Sequence, residues 1–542
     1  MTAGLSPAGV GPPGGLLAST AAVTAGNLAS RVTGFVRVLV VGLVLGTTFV
    51  GNTYQSANLV SNILFELTAA GLMSTVLVPP LVRLLSRGDR EQALSLAGSV
   101  LGLALVVLGV LTAAALLARP WLMRALTVAV EDPEVRRQEM ALGSFLLVFF
   151  LPQVLLYAVG AVTTGLLHGQ RRFAAAAFAP VANNVTVIAT MAAFWAVGGG
   201  GRPGLDLSGP ERWVLGAGTT LGVLVMTAVP VVAARRAGLA LRPRWDLRQA
   251  GLGRLGRDGL WAAATLGLTQ VLVVTTLVLA NRIEGGVVAY HIAFQLFLLP
   301  FALLAHPVVT ALFPRLASAA QSGDASKFGD QLRGGAAALA FLVLPASAVA
   351  AALAEPALGL LRLGNLDAAG VEMAGRLVAA YAVGLMGYAG FQLLLRACYA
   401  TGDMRAPAVA AAAIAVGGSA TMVLWFTVAT GDGRLAAVGY GHSAAYLGGA
   451  LALAAVLHRR LAASGPVAPL LWAMARSAAC AGVAGVVAFM TSRAWPAGEG
   501  ATAGGVASLV LAGLLATGAY AGAQRALGAP EMAWLRGRRS GP

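Results

Sequence analysis

LLASTAAVTAGNLASRVTGFVRVLVVGLVLG (16–46) and TYQSANLVSNILFELTAAGLMSTVLVPPLVRL (53–84) decide the fold. Each run is long and apolar enough to cross a bilayer, whose ~30 Å hydrocarbon core needs about 20 residues of helix. Each also carries polar groups that such a helix should lack. Arg31 sits in the middle of the first run, with Asn27 and Ser30 beside it and Arg37 further along. An arginine at the centre of a membrane helix costs roughly 2.5–3.5 kcal/mol on insertion scales, so it faces a wet cavity or a partner. The second run answers with Gln55, Asn58, Asn62 and Glu66, whose spacing places them on one helical face. The pair reads as one wall of a hydrophilic chamber inside a membrane protein, in which Arg31 and Arg37 bind an anionic substrate or form an internal ion pair with Glu66.

Outward from this hairpin the chain keeps the same character. Of 542 residues, 58% are hydrophobic and only 11% charged, and the mean hydropathy is +0.80. Soluble domains carry about a quarter charged residues. The fold class is therefore an all-α polytopic membrane protein, with about fourteen apolar windows between residues 16 and 527. The net charge of +16 is a matter of topology rather than of nucleic acid. With residues 1–15 placed in the cytoplasm, the even-numbered breaks and the C-terminal tail hold 23 Lys/Arg and the odd breaks ten. Cytoplasmic loops carry the Lys/Arg excess, so both termini are expected inside, against anionic headgroups. No basic segment precedes the first apolar run, so no removable signal peptide is read.

An internal repeat organises the windows. STVLVPPLVRLLSRGDREQALSLAGSV (74–100) lies over VTALFPRLASAAQSGDASKFGDQLRGG (309–335), with Pro79 on Pro314, Gly88 on Gly323 and Asp89 on Asp324, an offset of 235. GLLHGQRRFAAAAFAP (165–180) lies over CYATGDMRAPAVAAAA (398–413), with Gly169 on Gly402 and Arg172 on Arg405, an offset of 233. Six helices are followed by six related ones of the same topology, related by an axis along the membrane normal. The expected organisation is a disordered cytoplasmic tail (1–15), a first lobe of spans one to six (16–234), a basic cytoplasmic linker (235–257), a second lobe of spans seven to twelve (258–460), spans thirteen and fourteen (461–527) and a cytoplasmic tail (528–542). The chamber is expected between the lobes, walled by helices 1 and 2 and by their repeats 7 and 8.

No catalytic constellation stands out. The five histidines are scattered, without HxxxH or HExxH, there is no GxxxxGK[ST] phosphate loop, and Cys398 and Cys480 lie in or near spans as packing residues. An enzyme is not expected, nor a metal or other cofactor. The remaining candidates are polar groups at membrane depth, which include Gln153, Asn183, Asn184, Gln270, Thr275, Gln295 and Gln392.

SRVTGFVR (30–37), NLVSNILFELTAAGLMSTVLVPPL (58–81), FAPVANNVTVIA (178–189) and GGVVAYHIAFQLFLLPFALLAHPVVTALFPRL (285–316) together resemble the MurJ (MviN) family, lipid II flippases of the MOP exporter superfamily. The resemblance covers most of residues 16–527 and implies a 6+6+2 helix plan in a bacterial plasma (inner) membrane. It implies that the undecaprenyl-linked peptidoglycan precursor lipid II is carried from inner to outer leaflet by alternating access, and that cell-wall synthesis proteins are partners. Arg31 and Arg37 match the family's helix 1 arginines, and the lipid tail would lie in a groove by helices 13 and 14. The chain departs from the family pattern elsewhere. An acidic residue after the second helix 1 arginine is Val38 here, the helix 2 arginine pair falls on Phe65 and Glu66, the helix 8 arginine on Gln295, and an acidic helix 7 position linked to sodium on Thr275. The membrane potential or an ion gradient is the expected driving force. Asn27, Ser30, Arg31, Arg37, Asn58, Asn62, Glu66 and Gln295 form the expected substrate site. The other readings are an exporter of polysaccharide lipids or drugs in the same superfamily, or a membrane-embedded enzyme acting on polyprenyl phosphates.

Overall fold

A computed structural model describes residues 13–535 apart from 67–80, 82, 86, 171, 247–256, 363, 432, 461–465 and 495–502. The described residues form helices and connecting turns, with no strand. Among the described residues twelve helices are long and apolar enough to cross a bilayer, and the pair Ala368–Val383 and Leu385–Ala400, bent by 47°, passes the same test when its two halves are taken together. The remaining expected span, 53–84, begins as a helix at Phe49–Phe65, but residues 67–80 lie outside the described residues.

The first lobe contains α1 (Pro13–Leu45), α2 (Phe49–Phe65), α3 (Arg90–Leu126), α4 (Pro133–Phe150), α5 (Gln153–Gly169), α6 (Ala174–Val197) and α7 (Gly209–Arg236). The second contains α8 (Arg257–Asn281), α9 (Gly286–Pro300), α10 (His306–Gln321), α11 (Ala325–Gly359), α12 (Ala368–Val383), α13 (Leu385–Ala400), α14 (Arg405–Ala413), α15 (Ser419–Val428) and α16 (Gly433–Arg460). Then come α17 (Ala468–Ala494), α18 (Ala503–Ala526) and the short α19 (Met532–Leu535). The expected tail 1–15 is shorter in its described part, because helix already runs at Pro13 and residues 1–12 lie outside the described residues.

The two lobes are packed alike. In the first, α1 lies on α6, α6 on α7, and the halves α4 and α5 of one span both lie on α7; in the second, α8 lies on α14, α15 on α16, and α12 and α13 both on α16. The repeat reaches down to single residues. Gly88 (φ 79°) and Gly323 (φ 71°) both adopt the left-handed backbone that ends a helix. The next residue of each, Asp89 or Asp324, caps the following helix by accepting from the Gln92 N–H at 3.1 Å or the Lys327 N–H at 2.8 Å.

Spans thirteen and fourteen, α17 and α18, pack on each other, and α17 lies along α11 of the second lobe. The linker after α7 is anchored to α3: the Arg244 N–H donates to the Gly98 carbonyl at 2.9 Å and its guanidinium to Ser95 Oγ at 2.9 Å. A Cβ at Gly102 would lie 2.1 Å from the Arg244 carbonyl, so a glycine is needed where the linker crosses α3.

The lobes meet at one end. Asn52 of α2 donates to the Ile283 carbonyl at 2.8 Å and accepts from the Val287 N–H at 2.9 Å, while Ser56 and Asn281 bond each other at 3.0 Å. Asn365 reaches across to the Val44 carbonyl at 2.7 Å, and Thr47 donates to Asp367 at 2.9 Å. Arg202 ties three segments together, at 2.9 Å from Asp367, 3.3 Å from Glu284 and 3.2 Å from the Thr47 carbonyl. Buried polar groups cost free energy unless hydrogen-bonded, and these amides, hydroxyls and ions satisfy one another across the joint.

Candidate functional site: a cavity in the first lobe

Away from this joint the polar side chains of α1 and α2 become progressively more exposed. Along α2, Gln55 is buried, Asn58 and Asn62 are half-buried and Glu66 is exposed. Along α1, Val38 is buried, Arg37 half-buried, and Arg31 and Asn27 exposed. The polar stripe read from spacing thus runs from buried at the joint to exposed away from it.

A cavity of about 440 Å³ lies beside this stripe. Arg37 lines it from α1; Tyr54, Gln55, Asn58, Asn62 and Glu66 from α2; Tyr157 from α5, Asn183 from α6 and Thr219 from α7; and His291 from α9. All but His291 belong to the first lobe. The expected chamber between the lobes, lined by helices 1, 2, 7 and 8, is met by helices 1 and 2 and, through His291, by helix 8, whereas helix 7 gives this cavity no lining residue. Where the lobes touch, amide and small-residue contacts fill the space, and α8 turns its candidate inward: Thr275 Oγ1 bonds Ser419 Oγ within the second lobe at 2.8 Å.

Four of the eight expected site residues, Arg37, Asn58, Asn62 and Glu66, line the cavity, whereas Asn27, Ser30, Arg31 and Gln295 lie outside its lining. Six residues turn a helix by about 600°, so Arg31 points ~120° away from Arg37. The Ser30 carbonyl is taken up in packing, accepting from Asn184 Nδ2 at 3.2 Å, which also donates to Thr33 Oγ1 at 3.0 Å. Gln153 is likewise structural, bonded to Thr220 Oγ1 at 2.9 Å. Among the described residues neither Arg31 nor Arg37 forms an ion pair with Glu66. Tyr54, Tyr157, Thr219 and His291 were not singled out from sequence. Tyr54 precedes Asn58 by four residues, so the 4-residue spacing extended one turn would have found it; its hydroxyl bonds Thr219 at 2.9 Å.

Chemically, the cavity offers one guanidinium, four side-chain amides, hydroxyls, an imidazole and, at its open side, one carboxylate. Among the described residues no cluster of three or more His, Cys, Asp or Glu could hold a metal ion.

The profile of the family described as "Lipid II flippase MurJ" matches residues 41–509, which takes in α2, the whole second lobe and the start of α18. The chain belongs to the MurJ family. Among curated relatives, the "Probable lipid II flippase MurJ" of Rhizobium meliloti (strain 1021) is 28% identical over 420 residues, 76% of each chain. The "Lipid II flippase MurJ" of Burkholderia cenocepacia is 25% identical over 391 residues, 70% of this chain and 72% of that one. The fold resembles that of a solved "Lipid II flippase MurJ, inward closed conformation", with a TM-score of 0.71 at 16% identity, covering 93% of this chain and 99% of that one. It also resembles an inward-facing multidrug resistance MATE family transporter of the MOP superfamily, with a TM-score of 0.62 at 16% identity over 82% of this chain and 95% of that one. The chain is a multi-pass membrane protein with the MurJ fold, and membership falls on the flippase reading rather than on the drug exporter or the polyprenyl-phosphate enzyme.

Proposed function

We propose that this chain carries lipid II across the bacterial plasma membrane by alternating access, and that Arg37 holds the anionic part of the headgroup inside the first-lobe cavity. The observation that carries the assignment is a single guanidinium set among amides and hydroxyls at membrane depth, with no carboxylate paired to it among the described residues. A cation so placed is costly unless it meets an anion, and guanidinium-to-phosphate bonds are strong and directional. The amide stripe supplies donors and acceptors for sugar hydroxyls. At about 440 Å³ the cavity is the size of an ordinary ligand site, ~300–1,000 Å³, and the exposed Arg31 and Glu66 line the way along which a larger headgroup extends. The Lys/Arg distribution supports cytoplasmic termini, which places the joint between the lobes at the external face and the exposed end of the stripe toward the cytoplasm.

The test is rescue of a bacterium depleted of its own lipid II flippase, together with lipid II exposure at the outer leaflet. Rescue with restored exposure is expected. A chain that is abundant in the membrane yet restores neither overturns the substrate assignment.

A further inference from the structure

Glu139 of α4 is 0% exposed, in a wall of buried Leu142, Leu146 and Met123. Its Oε1 lies 3.2 Å from Thr53 Oγ1 of α2, whose hydroxyl also donates to the Phe49 carbonyl at 2.8 Å, and its Oε2 is buried with no hydrogen-bond partner among the described residues. The elements packed on α4 carry Tyr54 (α2), Arg119 and Arg124 (α3), Tyr157 (α5), and Glu211 and Arg212 (α7). None of them bonds Glu139: Tyr54 is bonded to Thr219, Arg119 to the Leu116 carbonyl and Glu211 to Ser208, while Arg124 is exposed. A carboxylate charge held this way carries a desolvation cost of several kcal/mol that one hydroxyl does not offset, whereas the neutral acid escapes it.

The position matters because Thr53 stands between two residues of the joint. Asn52 and Ser56, on the adjoining face of the same helical turn, hold Ile283, Val287 and Asn281 of the second lobe. We propose that Glu139 is a proton-binding site whose neutral form keeps the lobes closed at their joint, and whose ionised form releases it. On ionisation the Oε2–H bond breaks, the proton passes to water outside the joint and the electron pair stays on the carboxylate. The new charge draws water to the α2–α4 contact, moves Thr53 and, with it, Asn52 and Ser56. The occupant is a proton rather than a hard metal cation, because one carboxylate and one hydroxyl fall short of the six or more oxygens such ions take. Asp367, another acid at the joint, works in the opposite sense, since its carboxylate form is the one tied to Arg202 and Thr47. The inference rests on the flippase reading only for its purpose, not for its physics.

The experiment uses the full chain in lipid nanodiscs, in a Cys398→Ala and Cys480→Ala background, with spin labels at Val128 and Val428. These residues are 62% and 72% exposed, one on each lobe at the joined end. In the otherwise unaltered protein, raising pH is expected to shift the label pair from short to long separations. Glu139→Gln, which keeps the shape of the neutral acid, is expected to lose this response and stay short. Thr53→Val, which removes the side chain through which Glu139 meets α2, is expected to weaken the dependence of the label separation on pH. A Glu139→Gln protein that responds as before, an unaltered protein that does not respond, or a response that follows sodium at fixed pH overturns the proposal. Lipid II flipping on the same samples separates the two readings. A pH-gated joint without flipping removes the substrate assignment and leaves Glu139, and flipping with a pH-insensitive joint does the reverse.

Discussion

Arg37 and Arg31 lie on one helix six residues apart, and the structure separates their roles. Arg37 faces the cavity beside Tyr54, Tyr157 and His291, while Arg31 is exposed and lies outside the cavity lining. Arg37→Ala is therefore expected to lower flipping about 10-fold or more, the equivalent of one or two charge-assisted hydrogen bonds, with protein abundance unchanged. Arg31→Ala is expected to weaken flipping less. Equal losses in the two variants, measured as outer-leaflet lipid II against protein level, would place the anion site partly outside the cavity. The ion-pair alternative is tested by Arg37→Gln combined with Glu66→Gln, which should flip no better than Arg37→Gln alone. The arginine and the amide stripe were legible because charge and amides stand out against an apolar run at helical spacing. Tyr157, Thr219 and His291 were not, because a hydroxyl or imidazole within an apolar window is as often packed away as it is functional, and their convergence from α5, α7 and α9 is a product of tertiary packing.

At the scale of helices, the sequence disclosed periodicity and repeat but not partners distant in the chain. Arg476, inside span thirteen, could be assigned no role from its own window. In the structure it is buried against Glu531, the residue before α19, with side-chain exposures of 6% and 4%. Arg476 Nε also donates to Gln524 at 3.2 Å, Gln524 donates to Tyr520 at 2.8 Å, and the Tyr520 hydroxyl donates to the Phe341 carbonyl of α11 at 2.7 Å. This network ties α17, α18 and the segment leading into α19 to the second lobe, so the stretch from 528 to 535 is not a free tail. Removing one partner of a buried ion pair leaves an uncompensated charge and costs about 3–5 kcal/mol. Arg476→Leu is expected to lower the thermal unfolding temperature and the abundance of the protein, and Arg476→Leu with Glu531→Leu to recover most of the loss. A single variant as stable as the original chain would show the pair to be dispensable. The repeat was legible because a glycine that ends a helix and an aspartate that starts the next are required by backbone geometry, and so they recur at Gly88–Asp89 and Gly323–Asp324 whatever the apolar residues between do.

For the whole molecule, the question is what holds two similar lobes together at one end, and Arg202 is part of the structural answer. Its loop, GGGGRPG (198–204), reads in sequence as a mere connection. In the fold it crosses to the second lobe and meets Asp367 and Glu284. Partial burial raises the Asp367 pKa, but the Gly370 N–H, the Thr47 hydroxyl and Arg202 outweigh it and hold the carboxyl below its ordinary value. A group with a lowered pKa in the closed state favours that state above its ordinary pKa, and the advantage is lost as pH falls through the lowered value. Strong acid is therefore expected to loosen this tie, opposite in sign to the Glu139 switch. Because Arg202 and Asp367 are 48% and 40% exposed, solvent and salt screen the pair, so the effect should shrink at high ionic strength. Arg202→Ala is expected to lengthen the Val128–Val428 label separation at neutral pH and to remove the further opening in acid, while Arg202→Lys retains part of the closure through charge alone. An Arg202→Ala protein with the original separation at every pH would show that the amide contacts of Asn52, Asn281 and Asn365 close the joint without it.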